Sequence, residues 1–289
     1  MVEGTPKLRK LDCCFDHLGI KFRWDQIQEL KLECSKSKSQ IPFWDYFHQA
    51  VASTSLVKLT FEWTRTLQPT DMYMPIRCPS VQEFTQSTGE EWPTLLDLLA
   101  LRKTSIEADI HLPAFTHFIQ RCNCALTTLE MSIGFLPWRS SASDLNKLIA
   151  GLYAVLPHLV SLTLLLRERM PDPSDNSISS LLPVVSPSTL PSLAVLRVEW
   201  RPDYVLDAVA MAAVFLPILT KIIKSHRPAL KSVRFGYDGG GRVDWAALET
   251  LDAFVDLGPC DEIFRMNCWP YAGLSAREYE YSLVQENSA

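Results

Sequence analysis

Residues 191–200 read PSLAVLRVEW, and the spacing within them decides the fold. Leu193 is followed after two free positions by Leu196, and after one more by Val198. The spacing returns at 157–166, PHLVSLTLLL, through Leu159, Leu162 and Leu164. It returns again at 54–63, TSLVKLTFEW, through Leu56, Leu59 and Phe61. Alternate side chains of a strand share a face. The fourth and sixth positions of each unit therefore enter one core, and the first packs against them from just before the strand.

With apolar substitutes allowed, the unit recurs along the chain. Further copies are Leu8, Leu11, Cys13; Ile27, Leu30, Leu32; Val81, Phe84, Gln86; Leu101, Thr104, Ile106; Leu126, Leu129, Met131; and Leu230, Val233, Phe235. A loose tenth is Ile263, Met266, Cys268, and the starts are separated by 19 to 37 residues. One such unit cannot bury its own apolar face, whereas stacked units can. This is the L-x-x-L-x-L strand of leucine-rich repeats, without the Asn that closes the standard unit. It predicts an α/β chain: an irregular leucine-rich-repeat solenoid with a parallel inner sheet of about nine or ten short strands and helices and loops outside. Parallel strands require crossover connections, and one continuous domain over residues 1–289 is expected.

The intervening segments supply the return limbs. Helices are expected over 42–54 (PFWDYFHQAVAST), 112–122 (LPAFTHFIQRC) and 141–157, the last with Ser143 as its candidate cap. Residues 204–226 read as helical with a break near Pro217, and 243–258 as a helix ended by Gly258. The Pro- and Ser-rich stretch 167–192 reads as a surface loop. The tail beyond Gly273 reads as one short helix, SAREYEYSLVQE, before fraying.

Composition narrows the function classes. The chain has 289 residues, 47% hydrophobic and 21% charged, with a net charge of −5. Lys31, Lys36 and Lys38 are interleaved with Glu29 and Glu33, so no basic stripe of the kind that neutralises phosphates is visible. The longest apolar run, Ala208–Leu219, falls short of the roughly 20 residues a spanning helix needs. Neither nucleic acid nor membrane is expected as a partner. The N-terminus has no signal-peptide core, and the eight cysteines show no paired framework. Reduced thiols and an intracellular location, cytoplasmic or nuclear, are expected.

Four segments taken together carry a resemblance: W-x-x-I-x-x-L-x-L over Trp24–Leu32, SLVKLTF over Ser55–Phe61, LLDLLALRKTSIE over Leu95–Glu107, and FIQRCNCALTTLEMSI over Phe118–Ile133. They resemble the leucine-rich-repeat part of fungal F-box proteins of the mushroom-forming type, from about Leu8 to about Tyr237. Members of that family usually open with an F-box, a short helical module that docks on the Skp1 adaptor of a ubiquitin ligase. No such module precedes Leu8, so the F-box itself is expected to be missing from this chain, and Skp1 is a partner only if one lies upstream. The resemblance implies a role for the repeats in holding a protein substrate.

Chemistry-bearing clusters are sparse. His111, His117, Cys122 and Cys124 fall close together, but His117 and Cys122 lie on different faces of a helix and no C-x2-C pair completes a zinc site. GYDGGGRVDW (236–245) matches neither phosphate-binding glycine pattern and reads as a turn. No nucleophile elbow or H-E-x-x-H is present, and the six histidines are scattered. No cofactor, no metal and no catalytic residue is expected.

Strand alternation places the third, fifth and seventh positions of each unit on the outward face. These include Lys10, Asp12, Glu29, Lys31, Lys58, Glu62, Glu83, Lys103, Glu107, Glu130, Arg197, Glu199 and Arg234, with Ser105, Ser161 and Thr163 among the hydroxyls. One reading is a solvated face with opposite charges paired across strands. The other is a concave platform that selects a protein partner by its charge pattern. The expected function is a protein-interaction scaffold, resembling the substrate-recognition part of an F-box ligase subunit. The alternatives are an enzyme whose site is noncontiguous, and an orphan repeat protein without a ligase role.

Overall fold

Short extended segments recur where the repeat pattern places them. The structure is a computed structural model and describes residues 8–14, 23–34, 49–63, 76–86, 96–106, 112–133, 142–168, 185–202, 221–222, 224–226, 229–237 and 281–282. The protein is α/β, with mostly parallel strands and few helices among the described residues. Its contacts divide it into two units, Met1–Thr128 and Leu129–Ala289.

In the first unit the repeat strands are β1 (Lys10–Cys14), β2 (Glu29–Cys34), β3 (Lys58–Trp63), β5 (Glu83–Gln86) and β7 (Lys103–Ile106). They lie side by side in that order, all parallel. The register aligns the repeat positions with no slip. Leu11 stands opposite Leu30, Leu30 opposite Leu59, Leu59 opposite Phe84, and Phe84 opposite Thr104. A one-residue slip would carry every one of these side chains to the other face. Ile27, Leu30, Leu32, Leu56, Leu59, Phe61, Val81, Phe84, Leu101 and Ile106 are buried. Leu8, expected in the core as the first position of copy one, is instead 48% exposed. It has no stacked copy on its outer side among the described residues to cover it.

A repeated backbone device sets this register. Two consecutive N–H groups at each strand entry donate to one carbonyl of the preceding copy. Val57 and Lys58 donate to Gln28, Gln82 and Glu83 to Val57, Arg102 and Lys103 to Gln82, and Thr127 and Thr128 to Arg102, at 2.8–3.0 Å. Hydroxyls reinforce it: Ser53 Oγ donates to the Trp24 carbonyl at 2.8 Å and Ser55 Oγ to the Asp25 carbonyl at 2.5 Å. The residue just ahead of each strand thus accepts two hydrogen bonds, leaving no buried donor orphaned at the turn.

Two features of this unit were not read from the sequence. Ahead of copies four and five, β4 (Ile76–Arg77) and β6 (Leu96–Asp97) pair in parallel as a separate two-stranded sheet. Ile76, Cys78, Leu96 and Leu98 are buried there, five and three positions before Val81 and Leu101. That earlier apolar doublet was the signal. The helix α1 (Leu112–Cys122), expected over those same residues, packs on β6. It buries Leu112, Phe115, Phe118, Ile119 and Cys122, the spacing of one helical face. It ends at Asn123, whose φ of 46° is left-handed and whose N–H bonds the Ile119 carbonyl at 3.1 Å. Asparagine tolerates that conformation better than most residues.

The second unit holds most of β8 (Thr128–Ile133), then α2 (Ala142–Ala154), β9 (Ser161–Glu168), β10 (Val195–Pro202), β11 (Ser232–Tyr237) and β12 (Tyr281–Ser282). β9, β10 and β11 are parallel, with Leu162, Leu196 and Val233 in one row and Leu164, Val198 and Phe235 in the next. Leu162, Leu164, Leu196 and Val198 are wholly buried. The strand-entry device recurs: Ala194 and Val195 donate to Val160, and Lys231 and Ser232 to Ala194. α2 buries Ile149, Leu152 and Tyr153 on one face, and burial pushes the Tyr153 phenol up.

Four boundaries differ from expectation. α2 starts at Ala142, which puts the expected cap Ser143 inside the helix, and ends at Ala154 rather than at 157. β9 continues through Arg167 and Glu168, which the Pro/Ser composition downstream assigned to the loop; each residue from Ser161 to Glu168 has a partner on β10, so the ladder outlasts the apolar pattern. Residues 49–51 are helical, but 52–55 turn rather than continue the helix, because Ser53 and Ser55 bond backbone carbonyls of the preceding copy. In the tail, Tyr281 and Ser282 form a strand antiparallel to β11, opposite Val233 and Ser232, where a helix was expected. The outer edge of β11 offers unpaired backbone groups that two extended residues satisfy. Most of the expected helix 204–226, all of 243–258, loop residues 169–184 and the tenth copy at 263–268 lie outside the described residues. Among the described residues no helix is long and apolar enough to cross a membrane.

Candidate functional site: the outer face of the strands

Alternation puts polar side chains on the face opposite the core, and register turns them into rows. In the first unit one row runs Lys10, Glu29, Lys58, Glu83, Lys103, alternating in sign across five strands. Lys10 Nζ lies 3.9 Å from Glu29 and Lys58 Nζ 4.0 Å from Glu83. In the next rows Lys31 sits between two acids, 3.6 Å from Glu33 and 2.9 Å from Glu62. Glu33 and Glu62 are themselves cross-strand partners, and the ammonium between them relieves their repulsion. The hydrogen bond with Lys31 holds the Glu62 carboxyl below its ordinary range, and the same bond raises Lys31. Asp12 stands exposed opposite Lys31. Ser105, expected on this face, is 9% exposed, as a small side chain beside Thr85 on the adjacent strand is shielded even on a solvent side. Glu107 lies outside the described residues.

In the second unit the rows have a different character. Glu130 on β8 is half-buried. Ser161, Val195 and Ser232 form one row, and Thr163, Arg197 and Arg234 the next. Glu199 then stands opposite Leu165 and Gly236, and Arg201 opposite Arg167. Sequence reasoning named Arg197, Glu199 and Arg234 but missed Arg167 and Arg201. It missed Arg167 because the loop was begun at 167, and Arg201 because the outward positions were read only as far as the seventh of each unit, Glu199, whereas β9 and β10 continue beyond it.

The histidine and cysteine cluster resolves into structural parts. His117 is exposed, Cys124 half-buried and Cys122 buried, while His111 lies outside the described residues. The Cys122 sulfur accepts the Leu98 N–H at 3.2 Å and its thiol is directed at the Leu96 carbonyl at 3.9 Å. Burial pushes that thiol up to about 11, and burial pushes the neighbouring Cys78 thiol up to about 12. Both are therefore held as thiols near neutral pH, poor as nucleophiles or ligands. Beside them Arg121 Nε donates to Asp97 Oδ1 at 2.7 Å, and another guanidinium nitrogen donates to the Leu96 carbonyl at 2.6 Å, which ties α1 to β6. Among the described residues no three of His, Cys, Asp and Glu come together as a metal-holding group. Gly236 and Tyr237 close β11; the rest of the glycine-rich stretch lies outside the described residues.

His226 is the one scattered histidine with a defined buried setting among the described residues. Its Nδ1 lies 3.0 Å from the Ile222 carbonyl, a contact that requires the proton on Nδ1. Its Nε2 is buried without a hydrogen-bond partner. It sits at the turn into copy nine, where its carbonyl accepts from Ala229 and Leu230, so its role is to shape that turn. Compared with protein-family models and with curated proteins, the sequence gives no match.

Proposed function

We propose that this chain is a protein-interaction scaffold: a leucine-rich-repeat solenoid whose outer strand face receives a protein partner. One observation carries the reading. Parallel strands with zero register slip present mostly apolar rows to the core and ordered rows of charge and hydroxyl to the other side. Such rows are an addressable pattern, since charge order across an interface selects partners and rejects wrong ones. Scaffolding needs no catalytic group, and the reading assigns none. By the resemblance of its repeats, the partner is a substrate of a ubiquitin ligase, and the setting is cytoplasmic or nuclear. Recruitment through Skp1 follows only for a product that carries an F-box.

The test is affinity capture of the natural full-length product from its native cells, alongside a variant with charge reversed at Glu29, Lys31, Lys58 and Glu62. The expected result is a partner retained by the natural protein. Failure of the natural protein to retain any partner would sink the scaffold reading. Absence of Skp1 from the retained proteins would remove the ligase role alone.

A further inference from the structure

We propose that the row Lys10, Glu29, Lys58, Glu83, Lys103 takes an α-helix of the protein partner, laid across the strands, whose charges alternate in sign one turn apart. This rests on the scaffold reading and names the partner chemistry for the face of the first unit.

The first support is how these charges are held. In the neighbouring rows Lys31 and Glu62 close to 2.9 Å and share a hydrogen bond. The pairs within the row do not close. Lys10 stops 3.9 Å from Glu29 and Lys58 stops 4.0 Å from Glu83, both beyond hydrogen-bond reach. These four side chains stay 41–70% exposed, and Lys103, opposite Glu83, is exposed as well. An exposed pair at such a distance gives up little when its members turn to a new partner. Opposite signs compensate one another along the row, so it offers an order of signs rather than an excess of one. Beside it Thr60, Thr85 and Ser105 stand in line across β3, β5 and β7, and their short side chains leave a helix room.

The second support is spacing. Neighbouring strands lie about 4.8 Å apart, so the row spans about 19 Å. Helix positions i, i+4, i+7, i+11 and i+14 share one face and span about 21 Å. The two patterns stay within about 2 Å along their whole length, which flexible Lys and Glu side chains absorb. An extended peptide laid the same way sets same-face residues about 6.6 Å apart and is about 7 Å out of step by the fifth. A nucleic-acid backbone sets phosphates over Glu29 and Glu83. The complement is therefore a helix carrying Glu, Lys, Glu, Lys, Glu at those positions, an order that reads the same from either end.

The test is fluorescence anisotropy on the full chain at low salt, where surface charges are least screened. One probe is a dye-labelled, alanine-based helical peptide with that order of charges. The other has every sign inverted, and circular dichroism matches their helicity. The expected result is saturable binding of the first and at least about tenfold weaker binding of the second. Lys58→Glu combined with Glu83→Lys keeps the net charge of the protein and should weaken the first peptide about tenfold. A peptide ordered Glu, Lys, Lys, Glu, Glu, or its reverse if the helix runs the other way, should restore binding to that variant. Thermal unfolding checks that the variant folds, and the comparison of the two peptides on the natural protein needs no variant. No binding of the first peptide, equal binding of the inverted one, or restoration by neither exchanged order overturns the proposal. If the partner captured from native cells is retained equally by the Lys58→Glu, Glu83→Lys variant, this inference fails while the scaffold reading stands.

Discussion

The two units share one strand grammar and use it differently on the outside. In the first unit the charged row Lys10, Glu29, Lys58, Glu83, Lys103 alternates in sign, and each strand answers the charge of its neighbour. In the second, arginine faces arginine in two rows. Their cores differ in the opposite sense. In the first unit Thr104 and Gln86 occupy core positions of the repeat. In the second, Leu162, Leu164, Leu196 and Val198 fill those core positions of β9 and β10 with apolar groups. The first unit thus neutralises its surface and tolerates polarity inside. The second sets arginine opposite arginine in register, over core positions held by leucine and valine.

The comparison can be broken first at the cores. Leu59 and Leu196 occupy the same repeat position and are both wholly buried. Leu59→Ala and Leu196→Ala should each cost about 3 kcal/mol of stability in urea unfolding, within the range for buried leucine truncation. A loss well under 1 kcal/mol at either site would mean that side chain is not in a packed core.

Thr104 offers a smaller and opposite effect. Its hydroxyl is buried without a hydrogen-bond partner, in a position where the pattern calls for an aliphatic group. Thr104→Val keeps the shape and removes the desolvated oxygen, so it should raise stability by about 1 kcal/mol. Equal or lower stability would show that the oxygen is satisfied.

A surface reversal in the first unit should have a smaller effect. Lys58→Glu sets a third acid between Glu29 and Glu83 and should destabilise by about 0.5 kcal/mol, discounted for solvent screening. Matched thermal melts at low and high salt would check it, since screening should shrink the difference. No loss at low salt would remove the alternating row from the account.

The smallest effect is a pH dependence. Glu62 is held below its ordinary value, so its contribution is present above the unfolded carboxyl range and is lost as pH falls through the folded value. Lys31 is raised, so its contribution holds below the unfolded lysine range and is lost as pH rises through the folded value. The pair therefore acts across the neutral range. Lys31→Met should lower the melting temperature slightly at neutral pH and leave Glu33 and Glu62 repelling each other. The gap to the natural protein should close as those carboxylates protonate in acid. A gap independent of pH would remove the pair from the account.

Much of the strand plan was legible because a strand buries every second residue, and that arithmetic survives irregular spacing between copies. Leu162 and Leu196 were assignable to the core from three letters each. Helix α1 was legible to the residue because its apolar spacing is that of one helical face. The β4–β6 pair was not, because strands of two residues carry too little alternation to be told from a turn. The tail strand at Tyr281 was not, because its partner lies more than forty residues away and its own sequence favours a helix.

From the order of its residues alone, this chain settled which side chains face the core, since hydrophobic periodicity needs no partner to be read. Which charged residues stand in one row, Lys with Glu in one unit and Arg with Arg in the other, was decided only when strands distant in sequence came into register. That pairing depends on the lengths of the intervening segments and on the hydrogen bonds at each strand entry, and no single copy contains either.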